Sequence, residues 1–116
     1  MSPITTHVLD TTLGKPARGI AVVVEIGQAA DQWTELASAV TDGDGRIAQF
    51  APSLTALEPG VYRVRFFTGA YFRAMEVAAF YPEVDVIVQI DETDQHYHIH
   101  IPLLLSPFGY TTYRGS

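Results

Sequence analysis

The chain has 116 residues, of which 47% are hydrophobic and 17% are charged, and its formal net charge is −6. This size and composition are typical of one globular domain, which we expect to span residues 1–116. Seven basic residues against thirteen acidic ones argue against a nucleic-acid partner, and the absence of cysteine excludes disulfides, thiol nucleophiles and cysteine-bound zinc. No apolar run approaches the ~20 residues that cross a bilayer, and the first residues lack the pattern of a signal peptide. We therefore expect a cytoplasmic protein without a membrane partner.

Most of the sequence alternates between apolar and polar residues, a period of two that is typical of half-buried β-strands. This pattern predicts strands over residues 20–26, 33–40, 47–50, 61–67, 84–90 and 96–105. In the fourth of these, apolar and aromatic side chains are expected on one face and two arginines on the other. The cluster from Asp42 to Gly45 predicts a turn, after which residues 47–50 can return as a partner strand of residues 33–40.

One segment has a different pattern. Residues 70–80 place apolar side chains at helical spacing among good helix formers, and Gly69 and Pro82 bracket them. We predict a single short helix there. Short strands at regular spacing with one inserted helix indicate an all-β protein built as a two-sheet β-sandwich.

Three histidines alternate along the last predicted strand. His96, His98 and His100 are expected on one face of that strand, with the residues between them on the other. Neutral imidazole is a common ligand of zinc and copper, but alternate residues of one strand lie about 6.5–7 Å apart, and metals gather ligands from several elements. Acid–base chemistry near neutral pH is a second interpretation, and a packed or solvated histidine run is a third.

Two further segments contain candidate functional residues. Asp42-Gly43-Asp44-Gly45 is similar to the start of a calcium loop, but Arg46 occupies the next ligand position and no bidentate glutamate follows, so a glycine-rich turn is favoured. Arg46 can then reach a polar ligand or remain a solvated surface side chain. Residues 103–116 either end in an edge strand or fold into a functional pocket.

Three blocks of sequence carry a resemblance to a known family. They are Thr6-His7-Val8-Leu9-Asp10 with Thr12-x-Gly14-Lys15-Pro16-Ala17, Thr41-Asp42-x-Asp44-Gly45-Arg46, and residues 98–116, which end in Tyr-Arg-Gly-Ser. These blocks resemble the 5-hydroxyisourate hydrolases of the transthyretin-related family. Residues 67–72 and 80–83 also resemble the segments that flank the helix of that family. The Tyr-Arg-Gly-Ser motif distinguishes these enzymes from transthyretin, which shares their fold.

The resemblance implies a transthyretin-like sandwich that assembles as a homotetramer, a dimer of dimers with active sites at the dimer–dimer interface. It implies hydrolysis of 5-hydroxyisourate to 2-oxo-4-hydroxy-4-carboxy-5-ureidoimidazoline in urate degradation, with no cofactor and no metal. The catalytic residues implied are His7, Arg46, His100 and Ser116, and the substrate-binding residues are His7, Arg46 and Tyr113. The alternatives are a transthyretin-like carrier of a hydrophobic ligand and an Ig-like accessory domain.

The histidine segment departs from the family pattern. Residues 96–102 read His-Tyr-His-Ile-His-Ile-Pro, where the family pattern has two residues fewer. Counting back from Pro102 makes His100 the catalytic histidine, whereas counting forward from His96 makes it His98. We favour His100, because the segment from Pro102 to Ser116 sets its distance from the Tyr-Arg-Gly-Ser motif. Either choice keeps the histidines on one face, since two residues are one strand repeat.

Overall fold

The computed structural model describes residues 2–94 and 98–116. The strands are β1 Ile4–Asp10, β2 Lys15–Pro16, β3 Ala21–Gly27, β4 Trp33–Val40, β5 Arg46–Ile47, β6 Gly60–Phe66, β7 Val84–Ile90, β8 Ile99–Ser106 and β9 Gly109–Thr112, and the helix is α1 Thr68–Ala74. None of the described residues belongs to a helix long and apolar enough to span a bilayer.

The strands form two sheets packed face to face, which confirms the predicted two-sheet sandwich. The first sheet has the order β2-β1-β8-β9, with β5 also paired to β1, and the second has the order β4-β3-β6-β7. The pairing of β1 with β8 is parallel, and the other pairings are antiparallel. The inward faces of both sheets form one apolar core, in which side chains such as Val8, Val24, Val64 and Leu103 are fully buried.

The faces of the strands follow the predicted alternation. In β6, Tyr62, Val64 and Phe66 are buried in the core. Arg63 and Arg65 lie between them on the outer face of the second sheet, where both form ion pairs with Glu25 on the neighbouring strand β3. Because a strand alternates with a period of two, the apolar pattern was sufficient to assign each side chain to the core or to the outer face.

The predicted short helix is confirmed, but its predicted bounds of 70–80 were wrong, because α1 spans Thr68–Ala74. Glu76 has a φ of +57°, a left-handed conformation that ends the helix. The chain must also return to Pro82, whose carbonyl accepts a 3.0 Å hydrogen bond from the N–H of Gly69. Six more helical residues would carry the chain about 9 Å further from that contact. The apolar residues Val77 and Phe80 remain exposed.

The partner predicted for residues 47–50 was also wrong. Strand β5 contains only Arg46–Ile47, and it pairs with β1 instead of β4. The turn before it is held against β1, because the N–H of Val8 donates to the carbonyl of Gly45 at 2.7 Å. Gly45 has a φ of +73°, and a Cβ there would collide with the carbonyl of Val8. The turn therefore carries the chain from the second sheet to the first, which places Arg46 opposite His7.

Candidate active site

The candidate site lies on the outer face of the first sheet. Strand β1 buries Ile4, Thr6 and Val8, so Thr5 and His7 project outward. Parallel pairing with β8 sets Thr5 opposite His100, and antiparallel pairing with β5 sets His7 opposite Arg46. Three strands that are distant in sequence thus bring two imidazoles, one guanidinium and one hydroxyl to the same face.

A cavity of about 210 Å³ opens on this face. Its lining residues are Thr5, Thr6, Arg46, Ile47, Ala48, His98, His100 and Ser116. The cavity contains three of the four residues predicted to be catalytic, Arg46, His100 and Ser116. The fourth, His7, is half-buried beside Arg46 on the same face but is not among the described residues that line the cavity.

The imidazole of His100 is held on two sides. Its Nδ1 lies 2.9 Å from the Oγ1 of Thr5. On the other side the ring lies over Gly115, whose N–H donates to the carbonyl of His100 at 2.9 Å. A Cβ on Gly115 would lie 2.6 Å from the Cδ2 of His100, so only glycine lets the ring pack this closely on the backbone. This contact also directs the next residue, Ser116, to the cavity.

The surroundings of His100 lower its pKa and so favour its neutral form. Burial is the largest cause that lowers its pKa below the ordinary value, the electrostatic influence of His98, Arg46 and His7 lowers the pKa further, and a hydrogen bond with the backbone of Thr5 opposes the shift. A neutral imidazole has one nitrogen with a free lone pair, so His100 is suited to accept a proton near neutral pH.

His98 lies on the same face as His100 but closer to solvent. Its side chain is exposed, its Nε2 lies 2.6 Å from the Oγ1 of Thr5, and its ring centroid is 6.2 Å from that of His100. The predicted common face of these two histidines is confirmed, and Ile99 between them is buried in the core. His96 lies outside the described residues. Which of His98 and His100 is catalytic stays a prediction.

Tyr113 lies apart from Arg46. It is 56% exposed and lines a second cavity of about 250 Å³, together with residues 86–90 of β7 and the adjacent part of β8. Its neighbour Arg114 extends to Asp94 and forms an ion pair of 2.8 Å. The structure therefore does not bring Tyr113 into the cavity that Arg46 and Ser116 line.

The structure bears on both metal interpretations of the sequence, the calcium loop that begins at Asp42 and the histidine site. The Oδ1 of Asp42 accepts hydrogen bonds from the backbone N–H groups of Arg46 and Asp44, at 3.0 and 2.9 Å. These bonds lower the pKa of the Asp42 carboxyl and account for the turn as a structural element. Within residues 2–94 and 98–116, no three histidine or acidic side chains come close enough together to hold a metal.

Sequence reasoning missed Thr5, which contacts both His98 and His100. Its position two residues before His7 placed it on the same strand face, so alternation alone could have drawn attention to it. The contact with the histidines could not be predicted, because it depends on the parallel pairing of β1 with β8.

Comparison with known proteins assigns the chain to a family. The model of the HIUase/Transthyretin family matches residues 4–115. The chain belongs to this family. A 5-hydroxyisourate hydrolase of Salmonella dublin is 48% identical, over 97% of this chain and 80% of that protein. A 5-hydroxyisourate hydrolase of Mus musculus is 44% identical, over 99% of this chain and 96% of that protein.

Solved structures of the HIUase/Transthyretin family agree with the fold. The Klebsiella pneumoniae 5-hydroxyisourate hydrolase superposes with a TM-score of 0.80 at 34% identity, covering 100% of this chain and 94% of that one. Transthyretin from Sparus aurata superposes with a TM-score of 0.87 at 34% identity, covering 99% and 97%. The predicted transthyretin-like fold and family are confirmed. Because hydrolases and transthyretins share this backbone, the choice between enzyme and carrier depends on the side chains of the site.

Proposed function

We propose that this protein hydrolyses 5-hydroxyisourate to 2-oxo-4-hydroxy-4-carboxy-5-ureidoimidazoline in urate degradation. The observation that carries the proposal is the half-buried His100, whose pKa its surroundings lower, in one cavity with Arg46. Relatives that match nearly the whole chain at 44–48% identity are named 5-hydroxyisourate hydrolases. A carrier of a hydrophobic ligand is not favoured, because imidazole, guanidinium and hydroxyl groups line the cavity.

The reaction is the addition of water to a ring carbonyl of a planar cyclic amide. His100 takes a proton from the water through Nε2 while the water oxygen bonds to the carbonyl carbon, a contribution of typically 10²–10⁴-fold. The carbonyl electron pair moves to oxygen, and the guanidinium of Arg46 stabilises the resulting oxyanion. The C–N bond then breaks, its electron pair goes to the ring nitrogen, and His100 returns the proton to that nitrogen.

The remaining predicted residues have different degrees of support. His7 lies opposite Arg46 on the same face, which supports a contact from His7 to substrate bound over Arg46. Ser116 lines the cavity, which supports a hydrogen bond from its hydroxyl to substrate or water. Tyr113 lines the second cavity, which shares His100 with the first, so its position supports a place beside His100 and not over Arg46.

An enzyme assay distinguishes a metal-free hydrolase, a metal-dependent hydrolase and a carrier. Purified protein is expected to accelerate the decay of freshly prepared 5-hydroxyisourate, followed by ultraviolet absorbance, at the same rate with and without a metal chelator. Activity lost in chelator and restored by zinc would overturn the metal-free mechanism. Binding of a hydrophobic ligand without any acceleration would instead establish a carrier.

A homotetramer is the assembly that best suits the site. Within the described part of the chain, β7 and β9 each lie at the edge of a sheet with one strand partner, which leaves backbone groups available for pairing with another copy. The outer face around the cavity is open, and large apolar side chains are exposed in the turns that follow strands β1 and β8, with Leu13 at 55% and Phe108 at 71%. A second dimer packed on this face would cover them and enclose the substrate.

Assembly can be measured independently of chemistry. We expect light scattering at micromolar concentration to give the mass of four chains, and Phe108→Asp to give a smaller, less active species because a charge on this surface opposes burial. Tyr81→Phe, a change that adds no charge, is the matched control and should remain tetrameric. A fully active monomer would contradict the assembly.

A further inference from the structure

The hydroxyl of Thr5 connects two histidines. Its Oγ1 lies 2.6 Å from the Nε2 of His98 and 2.9 Å from the Nδ1 of His100. A hydroxyl has one proton to donate and two lone pairs that accept, so Oγ1 either accepts from both rings or accepts from one ring and donates to the other. In the second arrangement the two hydrogen bonds run in the same direction along His100, Thr5 and His98, and this arrangement can carry a proton between the rings.

Each direction corresponds to one tautomer of His100. If Nδ1 of His100 donates to Thr5 and Thr5 donates to His98, the Nε2 of His100 has a free lone pair and acts as a base. If both bonds reverse, Nδ1 accepts from Thr5 and the Nε2 of His100 bears the proton, so that it acts as an acid. A change of direction is equivalent to moving one proton between the two histidines.

We propose that Thr5 is a positioning residue that sets the tautomer of His100 and forms the centre of a proton relay to His98. This inference rests on the proposed hydrolysis, since it assigns a role within the same site. His98 is the solvent-exposed end of the relay, and His100 is the half-buried end in the cavity.

The proton transfers of the relay balance in both steps of the reaction, the addition of water and the cleavage of the C–N bond. As Nε2 of His100 takes a proton from water, its Nδ1 proton passes to Thr5 and the hydroxyl proton of Thr5 passes to Nε2 of His98. His100 is then neutral with Nε2 protonated, and His98 is an imidazolium. As the C–N bond breaks, Nε2 of His100 donates to the leaving nitrogen, and the two other protons move back. The net change is the addition of one water across the C–N bond.

The charges around His100 explain why such a relay is useful. Burial is the largest cause that lowers the pKa of His100, and His98, Arg46 and His7 lower the pKa further, so a positive charge on His100 is disfavoured. The relay transfers that charge to His98, whose exposed ring is solvated by water. His100 can then serve as base and acid without remaining an imidazolium beside the Arg46 guanidinium.

Substitutions at Thr5 test the relay through rate. Thr5→Val removes the hydroxyl with little change in shape, and we expect kcat to fall about 10-fold to 100-fold while KM changes by about twofold or less. Thr5→Ser keeps a hydroxyl and should restore most of the rate. Thr68→Val is the matched control, because Thr68 is buried on α1, remote from the cavity, and its Oγ1 has no partner among the described residues. A Thr5→Val enzyme at full rate would overturn the relay.

The ring nitrogens provide a readout that needs no substrate. In ¹⁵N NMR spectra, His100 of the wild type and of Thr5→Ser should be protonated on Nδ1, and in Thr5→Val on Nε2. Identical His100 spectra in all three proteins would overturn the positioning role even if hydrolysis occurs. The expected tautomer change in a protein that does not hydrolyse 5-hydroxyisourate would instead support the positioning role and reject the proposed function.

A double-mutant cycle tests whether the two residues act together. If Thr5 and His98 act only through the relay, Thr5→Val combined with His98→Ala should be no slower than the slower single variant. Losses that multiply would show independent roles and would overturn the relay.

Discussion

His100→Ala is expected to lower kcat about 100-fold or more, whereas His98→Ala should cost about tenfold or less. A general base contributes 10²–10⁴-fold, and it must reach the proton within about 2.6–3.2 Å or through one water. Both histidines line the cavity, but His100 is half-buried and packs on Gly115, whereas His98 is exposed and contacts the hydroxyl of Thr5. The next histidine on the face is about 6.5–7 Å away along the strand, too far to replace it without a shift of the chain.

The comparison requires that both variants remain folded. Neither side chain belongs to the apolar core, so circular dichroism spectra and melting temperatures should stay close to those of the wild type. An inactive His98→Ala together with an active His100→Ala would show that the extra dipeptide lies on the other side of the site and that Pro102 does not set the register.

Arg46→Gln is expected to lower kcat/KM about 100-fold to 1000-fold and to move the acid limb of the pH–rate profile to higher pH. The loss in rate follows because the oxyanion loses a preorganised cation. The shift follows from linkage: the Arg46 charge is one of the causes that lower the pKa of His100, so its removal raises that pKa. The base form of His100 is lost as the pH falls through its pKa, and a higher pKa brings this loss at a higher pH.

The two effects of Arg46→Gln have a matched control elsewhere on the surface. Arg73→Gln makes the same change in the last turn of α1, away from the cavity, and should leave the rate and the pH profile unchanged. Arg73 and Arg46 are both exposed, so a general effect of net charge would move both profiles equally. An unshifted acid limb in Arg46→Gln would mean that His100 is not the group that limits activity at low pH.

The sequence by itself determined the strands, their inward faces and the common face of the histidines. Side chains of a strand alternate between its two faces, so burying one face fixes the position of every residue. Because Ile99 and Ile101 are buried in the core, His100 between them must point away from it. The family and its fold also followed from sequence, because the motifs around His7, around Arg46 and over residues 98–116 are specific. These are local properties of the chain.

Only the tertiary structure decided which strands are neighbours and where the helix ends. The turn at Gly45 could have paired residues 47–50 with β4, but packing against Val8 sends Arg46 to β1 and to His7. The end of α1 depends on the return of the chain to Pro82, a constraint that helical periodicity does not contain. The role of Thr5 depends on the parallel pairing that sets it opposite His100. Each is a long-range contact, and the free energy of such contacts depends on residues far apart in sequence, so local patterns could not predict them.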